Sequence, residues 1–388
     1  MHKVKTINKI AEAGLDYLAK VGCEVSEDFE QPEALLIRSV KLHDTKFNPE
    51  LLCIARAGAG VNNVPVKRCL EEGICVFNTP GANAEAVKEL AICALLMSSR
   101  DVIGGIQWAH SIADQGDAIP NLVEKGKEAF TGPELAGKTL GVLGLGAVGA
   151  RIANAAIGLG MKVYGYDPYL SVDAAWMLSR HVMHATDVDT LYQNCDYITI
   201  HVPYMESTHH MINAAALAKM KDGVRIMNLA RAELVDDDAL IEALDAGKVA
   251  CYVTDFPNAK TVNVPHIIPM PHLGASTPES EEKCALMGAR QIYDYLENGN
   301  ITNSVNFPNA AMPRTGACRI CVFHSNVPRM LNACLEIVGS ENINVENLIN
   351  KARGDYAYTM MDLSTVPSAA VEEKLAALEG VMRVRVLL

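Results

Sequence analysis

Short apolar runs recur along the first third of the chain at intervals suited to strands: VKTI, EALLIRSV, LLCIARAG and ICVFNTP, with helix-like segments such as Asn8 to Lys20 between them. Alternation of this kind predicts an α/β fold in which helices cover a sheet. Asn83 to Arg100 reads as one long helix with little charge in its second half, and Lys138 to Pro168 reads as strand, glycine turn, helix and strand. Further βα units follow at CDYITIHVPY, GVRIMNLAR and VACYVTDF. A second long helix is expected over Pro278 to Glu297, with Ser276 and Thr277 as capping candidates and Pro278 in its first turn. The stretch TNSVNFPNAAMPRTG is rich in Pro, Asn and Gly and reads as a linker. From Ala317 to Leu388 the runs follow the order βαββαβ and predict a separate small domain.

The stretch from Lys138 to Pro168 carries the sharpest chemistry. Gly144, Gly146 and Gly149 form G-x-G-x-x-G between an apolar strand and a helix, and Asp167 ends the next strand. Gly144 suits a tight turn, Gly146 a close approach by a pyrophosphate, and Gly149 close packing of helix on sheet. The helix N-terminus offers unpaired N–H groups and a positive dipole end to an anion. Asp167 suits two ribose hydroxyls, and a 2′-phosphate there would meet a like charge. Pro168, Tyr169 and Leu170 bring no cation to neutralise it, so NAD is expected over NADP. A glycine turn that merely packs a helix is the plainer alternative; strand, helix and acid in register argue against it.

Bulk composition narrows the classes. At 388 residues with 49% apolar content, two or three domains are expected. A net charge of -12 argues against nucleic acid or an anionic membrane as partner, since either would want a basic face. Eleven scattered cysteines, without a signal peptide or long apolar span, point to a reducing cytoplasm. Cys318 and Cys321 form the one C-x-x-C. In a strand that spacing places them on opposite faces, so they read as small hydrophobes and no metal site is expected.

In parallel sheets ligands lie beyond the carboxyl ends of the strands. There the sequence places Arg56 beside Gly58, Ala59 and Gly60, whose backbone amides suit a carboxylate, then Arg231, Asp255 and His272. Arginine offers a planar charged fork to carboxylate and carbonyl oxygens, and histidine exchanges a proton near neutrality. By spacing alone, either residue is more often structural.

RAGAGVNN, VFNTPGANAEAVKELA, the glycine unit, NLARAELVDDDAL and PHLGAST stand in the order found in the D-isomer-specific 2-hydroxyacid dehydrogenases, which the chain resembles over nearly its whole length. The resemblance implies a Rossmann-type NAD domain over 92–280, inserted in a flavodoxin-like substrate domain of 1–91 and 281–307, with the substrate in the cleft between them. A linker over 308–316 and a C-terminal βαββαβ ACT domain over 317–388 would follow. It implies catalysis by Arg231 and His272, and NAD contacts from Gly144, Gly146, Ala147, Val148, Gly149, Asp167, Thr79, Val202, Pro203, Leu229, Ala230, Asp255, Gly274 and Ala275. Substrate would be held by Arg38, Arg56, Ala59, Gly60 and Arg231, with Lys41 a weaker choice, and an L-serine effector by His324, Asn326 and Asn344. The implied activity is NAD-dependent oxidation of D-3-phosphoglycerate to 3-phosphohydroxypyruvate, opening L-serine biosynthesis. The alternatives are another D-2-hydroxyacid dehydrogenase, of the hydroxypyruvate or glyoxylate reductase type, and a non-enzymatic NAD-binding relative. A homodimer or homotetramer is implied, with Asp101 to Pro133, which contains Trp108, as the intersubunit excursion.

Three positions depart from the family pattern. TDFPNAKTV lacks the glutamate that normally supports the histidine, so Asp255 or a water is expected to support His272. Ala232 replaces a glycine after Arg231, and Arg329 replaces a glycine after Pro328 beside the expected effector site.

Overall fold

The structure is a computed structural model describing residues 1–388. The chain divides into two compact units, Met1–Asn83 with Pro278–Leu388, and Ala84–Thr277.

The first unit holds five parallel strands in the spatial order Glu24–Ser26, Lys3–Ile7, Ala34–Ile37, Cys53–Arg56, Cys75–Phe77. That order, 2-1-3-4-5, is the flavodoxin-like one. Ala34–Ile37, Cys53–Arg56 and Cys75–Phe77 are buried almost throughout, which explains why they read as continuous apolar runs without alternation. Helices Glu12–Lys20 and Pro278–Asn298 lie against each other so closely that a Cβ at Gly14 would meet the Ala285 carbonyl oxygen at 2.8 Å.

Also in this unit is an antiparallel sheet in the order Val345–Arg353, Tyr356–Leu363, Cys318–Ser325, Val381–Leu387, with helices Met330–Gly339 and Ala369–Ala376 between its strands in sequence. One of its faces shares a core with the five-stranded sheet: Phe323 meets Phe307 at 4.6 Å and Tyr295 at 6.4 Å, and Tyr295 meets Phe77 at 5.6 Å. Polar bonds reinforce the joint at the C-terminus of the long helix, where unpaired carbonyls need partners. Arg385 donates to the carbonyls of Tyr295 and Leu296, Arg314 to Glu297, Arg319 to Asn298 and the Tyr358 hydroxyl to Gly299. Five successive carbonyls are thus capped by side chains that follow them in sequence.

The second unit is a seven-stranded parallel sheet in the order Ile267–Pro269, Val249–Thr254, Val224–Asn228, Tyr197–Ile200, Thr139–Leu143, Lys162–Tyr166, Val182–His184. Counting from Thr139–Leu143, this is the doubly wound order 3-2-1-4-5-6 with one further strand, and it reverses between Thr139–Leu143 and Tyr197–Ile200. Apolar clusters cover both faces. The excursion 101–133, with little pattern in sequence, contains helices Val102–Ser111 and Ile119–Gly126, the first capped by Asp101. Neither buries a residue in this chain. All eleven cysteines are free, and no helix is long and apolar enough to cross a membrane.

Candidate active site

The glycine turn sits where the sheet order reverses. Gly144 has φ 87°, a left-handed conformation that disfavours any side chain, and a Cβ there would lie 2.7 Å from the His201 carbonyl oxygen. A Cβ at Gly149 would lie 1.9 Å from the Gly144 carbonyl oxygen, so helix Ala147–Gly158 can pack here only with glycine at that position. At Gly146 the added atom would meet nothing within 4 Å, which leaves open space at the helix start. This helix has no capping side chain and no acid in its first turn, so the amides of Ala147, Val148 and Gly149 and the dipole face that space unneutralised. Asp167 accepts the Leu145 N–H and the Tyr169 N–H, each at 2.9 Å. Each oxygen keeps lone pairs for a ribose hydroxyl. The cradle, the free amides and the terminal acid fit a dinucleotide. Val202, whose Cγ1 approaches Gly144, and Pro203 follow strand Tyr197–Ile200 on its far side.

Beyond the adjacent strand ends, Leu229, Ala230 and Arg231 follow Val224–Asn228, Asp255 and Phe256 follow Val249–Thr254, and His272, Gly274 and Ala275 follow Ile267–Pro269. Asn228, fully buried, shapes the arginine turn: its Oδ1 accepts the N–H groups of Ala230 and Arg231 at 3.1 and 3.3 Å, and its Nδ2 donates to the Arg231 carbonyl at 2.7 Å. The Arg231 side chain makes one hydrogen bond, to the Ala230 carbonyl at 2.6 Å, and its Cζ lies 5.8 Å from the centre of the Phe256 ring. The same ring lies 4.6 Å from the imidazole of His272, inclined at 45°. Arg231 and His272, remote in sequence, therefore flank one aromatic side chain.

Asp255 is 1% exposed. Its Oδ2 accepts the Gly274 N–H at 3.2 Å and its Oδ1 has no partner, so it holds the turn after His272 without bonding the imidazole. Burial raises its pKa, opposed by the Gly274 N–H and by the charges of His272 and Arg231. The expectation that Asp255 supports His272 directly thus finds no hydrogen bond. His201, at the end of strand Tyr197–Ile200, is no rival base, because burial pushes its pKa down to about 3.

The first unit carries the other sequence candidates. Arg56 Nε donates to the Arg38 carbonyl at 3.0 Å, and its guanidinium lies where a Gly58 side chain would be. The Gly58 and Ala59 carbonyls are taken by Thr79 N–H and Asn78 Nδ2, while the amides of Ala59 and Gly60 donate to no protein group. Thr79 is fully buried with an unpartnered Oγ1. Arg38 is paired with Glu281 in the first turn of helix Pro278–Asn298, a bond across 243 residues that no local pattern reveals. Lys41 is exposed.

The three effector candidates do not converge in one chain. His324 is 2% exposed, with Nδ1 at 2.8 Å from the Ser325 carbonyl and Nε2 at 2.8 Å from Thr359 Oγ1. Asn326 pairs with Asp355 and Gly354, whereas Asn344 accepts from Ser364 at the other end of the sheet. Those positions are separated by the strand Tyr356–Leu363, on the order of 25 Å at roughly 3.3 Å per residue.

Phe256 and Asn228 escaped the sequence reading. Asn228 had a signal, an Asx residue at a strand end before a turn. Phe256 had none beyond standing next to Asp255.

A doubly wound sheet with a dinucleotide cradle at its reversal, and an arginine and a histidine at neighbouring strand ends, defines a dehydrogenase of the nicotinamide class. The model of the D-isomer specific 2-hydroxyacid dehydrogenase NAD binding domain matches residues 94–274. A D-3-phosphoglycerate dehydrogenase of Haemophilus influenzae is 30% identical over 98% of this chain and 93% of its own length. A hydroxypyruvate reductase of Thermotoga maritima is 35% identical over 70% of this chain and 88% of its own. The NAD+-bound crystal structure of a 3-phosphoglycerate dehydrogenase from Entamoeba histolytica superposes with a TM-score of 0.62 at 26% identity, covering 79% of this chain and 98% of that one. The chain belongs to the D-isomer specific 2-hydroxyacid dehydrogenases, and its cofactor is NAD.

Proposed function

We propose that the protein oxidises D-3-phosphoglycerate to 3-phosphohydroxypyruvate, the entry reaction of L-serine biosynthesis. The observation that carries the reading is the pairing of an under-bonded Arg231 with His272 around Phe256 in an NAD-binding unit, in a chain that aligns over 98% of its length with a relative named for that activity. The Thermotoga maritima relative, which aligns with 70% of the chain, keeps a hydroxypyruvate reductase as the second reading.

Arg231 has donors free for the α-carboxylate and the C2 oxygen, and its permanent charge polarises that oxygen as a carbonyl forms. A ring nitrogen of His272 takes the C2 hydroxyl proton during oxidation and returns it during reduction. NAD, when bound, supplies the hydride acceptor. Gly144, Gly146, the amides of 147–149 and Asp167 hold its phosphates and ribose, with Val202, Pro203, Leu229, Ala230, Gly274 and Ala275 around its other half. Arg56, the free amides of Ala59 and Gly60, and Arg38 bind the anionic ends of the substrate, and Arg38 exchanges Glu281 for phosphate. The test is NADH-dependent reduction of 3-phosphohydroxypyruvate, hydroxypyruvate and 2-oxoglutarate. A preference for the phosphorylated acid of at least about a hundredfold, some 2.7 kcal/mol, is expected. A kcat/KM for hydroxypyruvate equal to or above that for the phosphorylated acid would transfer the assignment to the reductases, and no turnover of any would leave a binding protein.

The residues 317–388 are read as an ACT-type regulatory domain, supported by the βαββαβ order and the strand order 2-3-1-4. Because Asn326 and Asn344 lie at opposite ends of its sheet, an L-serine site using both draws one from each of two copies. Isothermal titration with L-serine tests this, and no heat at millimolar serine would leave the domain a purely structural part. Helices Val102–Ser111 and Ile119–Gly126, with Val102, Ile103, Ile106 and Val123 exposed, support a homodimer through that excursion. Eleven free cysteines suit a reducing cytoplasm.

A further inference from the structure

We propose that Phe256 is the positioning residue of the catalytic pair, holding Arg231 and His272 by its ring where a carboxylate would otherwise orient the histidine. The proposal deepens the reading above and rests on it. Two contacts carry it: the Arg231 guanidinium lies 5.8 Å from the ring centre, and the His272 imidazole lies 4.6 Å from it at 45°. No acid hydrogen-bonds the imidazole, since the one buried carboxylate at this strand end, Asp255, spends Oδ2 on the Gly274 N–H and leaves Oδ1 unpaired.

The ring is itself well held. Its backbone N–H donates to Thr254 Oγ1 at 3.1 Å, and Pro257 follows it, which keeps Phe256 extended. A phenyl ring has few rotamers, so a fixed backbone fixes its plane closely. The negative face of the ring attracts a guanidinium and an imidazolium alike. It can therefore hold two groups that repel each other when both are charged. The tilted ring contact leaves both imidazole nitrogens free of protein acceptors, and His272 is exposed.

Phe256 is only half-buried, so its truncation leaves the fold intact. The experiment compares Phe256→Leu, Phe256→Tyr and His272→Asn in the full-length protein. The assay is NADH-dependent reduction of 3-phosphohydroxypyruvate, with NADH affinity and melting temperature recorded alongside. Expected are a fall in kcat of about thirtyfold for Phe256→Leu with the KM for NADH and the melting temperature unchanged, recovery to within about threefold in Phe256→Tyr, and a fall of a thousandfold or more for His272→Asn. If Phe256→Leu keeps kcat within threefold while His272→Asn is inactive, the ring is not positioning the pair. The same conclusion follows if Phe256→Tyr falls as far as Phe256→Leu. If His272→Asn retains wild-type turnover, the catalytic reading itself fails, whatever Phe256 does.

Discussion

Two arginines in this chain stand in opposite circumstances. Arg319, in the C-terminal module, has no exposed surface and is saturated: it bonds both oxygens of Asp362 at 2.6 and 2.9 Å and the carbonyls of Asn298, Met312 and Pro313 at 2.7, 3.2 and 2.9 Å. Arg231 makes one hydrogen bond, to its own neighbour, and otherwise faces an aromatic ring. Their acidic neighbours differ in the same sense. Burial works to raise the pKa of Asp362, but the bonds from Arg319 and Thr315 outweigh it and hold the carboxyl below its usual range. Asp255, with one oxygen unpaired, is pushed up by burial. A charge whose every donor has an acceptor maintains structure, whereas one left short of partners is kept for a ligand, at some cost in stability.

The largest effect that tests this contrast is on turnover. Arg231→Ala is expected to lower kcat/KM by about a thousandfold, some 4 kcal/mol of transition-state stabilisation, with the melting temperature unchanged. A variant that melted well below the parent would mean that Arg231 holds the turn, as Asn228 does, and the contrast would collapse. The converse variant is Asp362→Ala, which leaves the Arg319 guanidinium buried beside an absent partner. It is expected to cost about 3–5 kcal/mol of stability by chemical denaturation while the folded fraction turns over normally. Loss of activity in proportion greater than loss of fold would place the joint in the catalytic machinery.

This contrast was legible in sequence only on one side. Arg231 and His272 were placed at strand ends by pattern and became catalytic candidates through the family motifs around them, while the three glycines stood out by their G-x-G-x-x-G spacing between strand and helix. Arg319 and Asp362 are 43 residues apart on neighbouring strands, so only the register of the sheet pairs them. The module therefore read as detached behind a linker, although its arginines cap the last turn of a helix that precedes them. Helices Val102–Ser111 and Ile119–Gly126 were missed for a different reason: Ile119, Leu122 and Val123 do form a stripe, but it is short and buries no residue in this chain. The contact of Phe256 with His272 depends on where two strands end in space, which no spacing encodes.

A pH titration sharpens the joint itself. The folded pKa of Asp362 lies below its unfolded value, so the unfolded chain binds the proton first as pH falls. The stabilisation is complete above the ordinary aspartate range, about 3.9, and is lost as pH falls through the depressed folded value. Denaturant midpoints of the parent are therefore expected to drop more steeply below about pH 4 than those of a variant with an apolar Leu pair in place of Arg319 and Asp362. Parallel curves for the two proteins would show that other carboxylates dominate acid unfolding.

The smallest effect expected is also the one of opposite sign. Asp255 has a raised folded pKa, so the folded state binds its proton more tightly than the unfolded chain does, and its ionisation opposes folding once pH exceeds the unfolded value. Asp255→Asn removes that charge and keeps an oxygen for the Gly274 N–H, so stability at neutral pH is expected to rise, by about 1 kcal/mol or less. Activity should fall at the same time, because the carboxylate that faces His272 and Arg231 has lost its charge. A variant both less stable and fully active would reverse the assignment, making Asp255 a structural acid like Asp362 and leaving His272 dependent on the Phe256 ring alone.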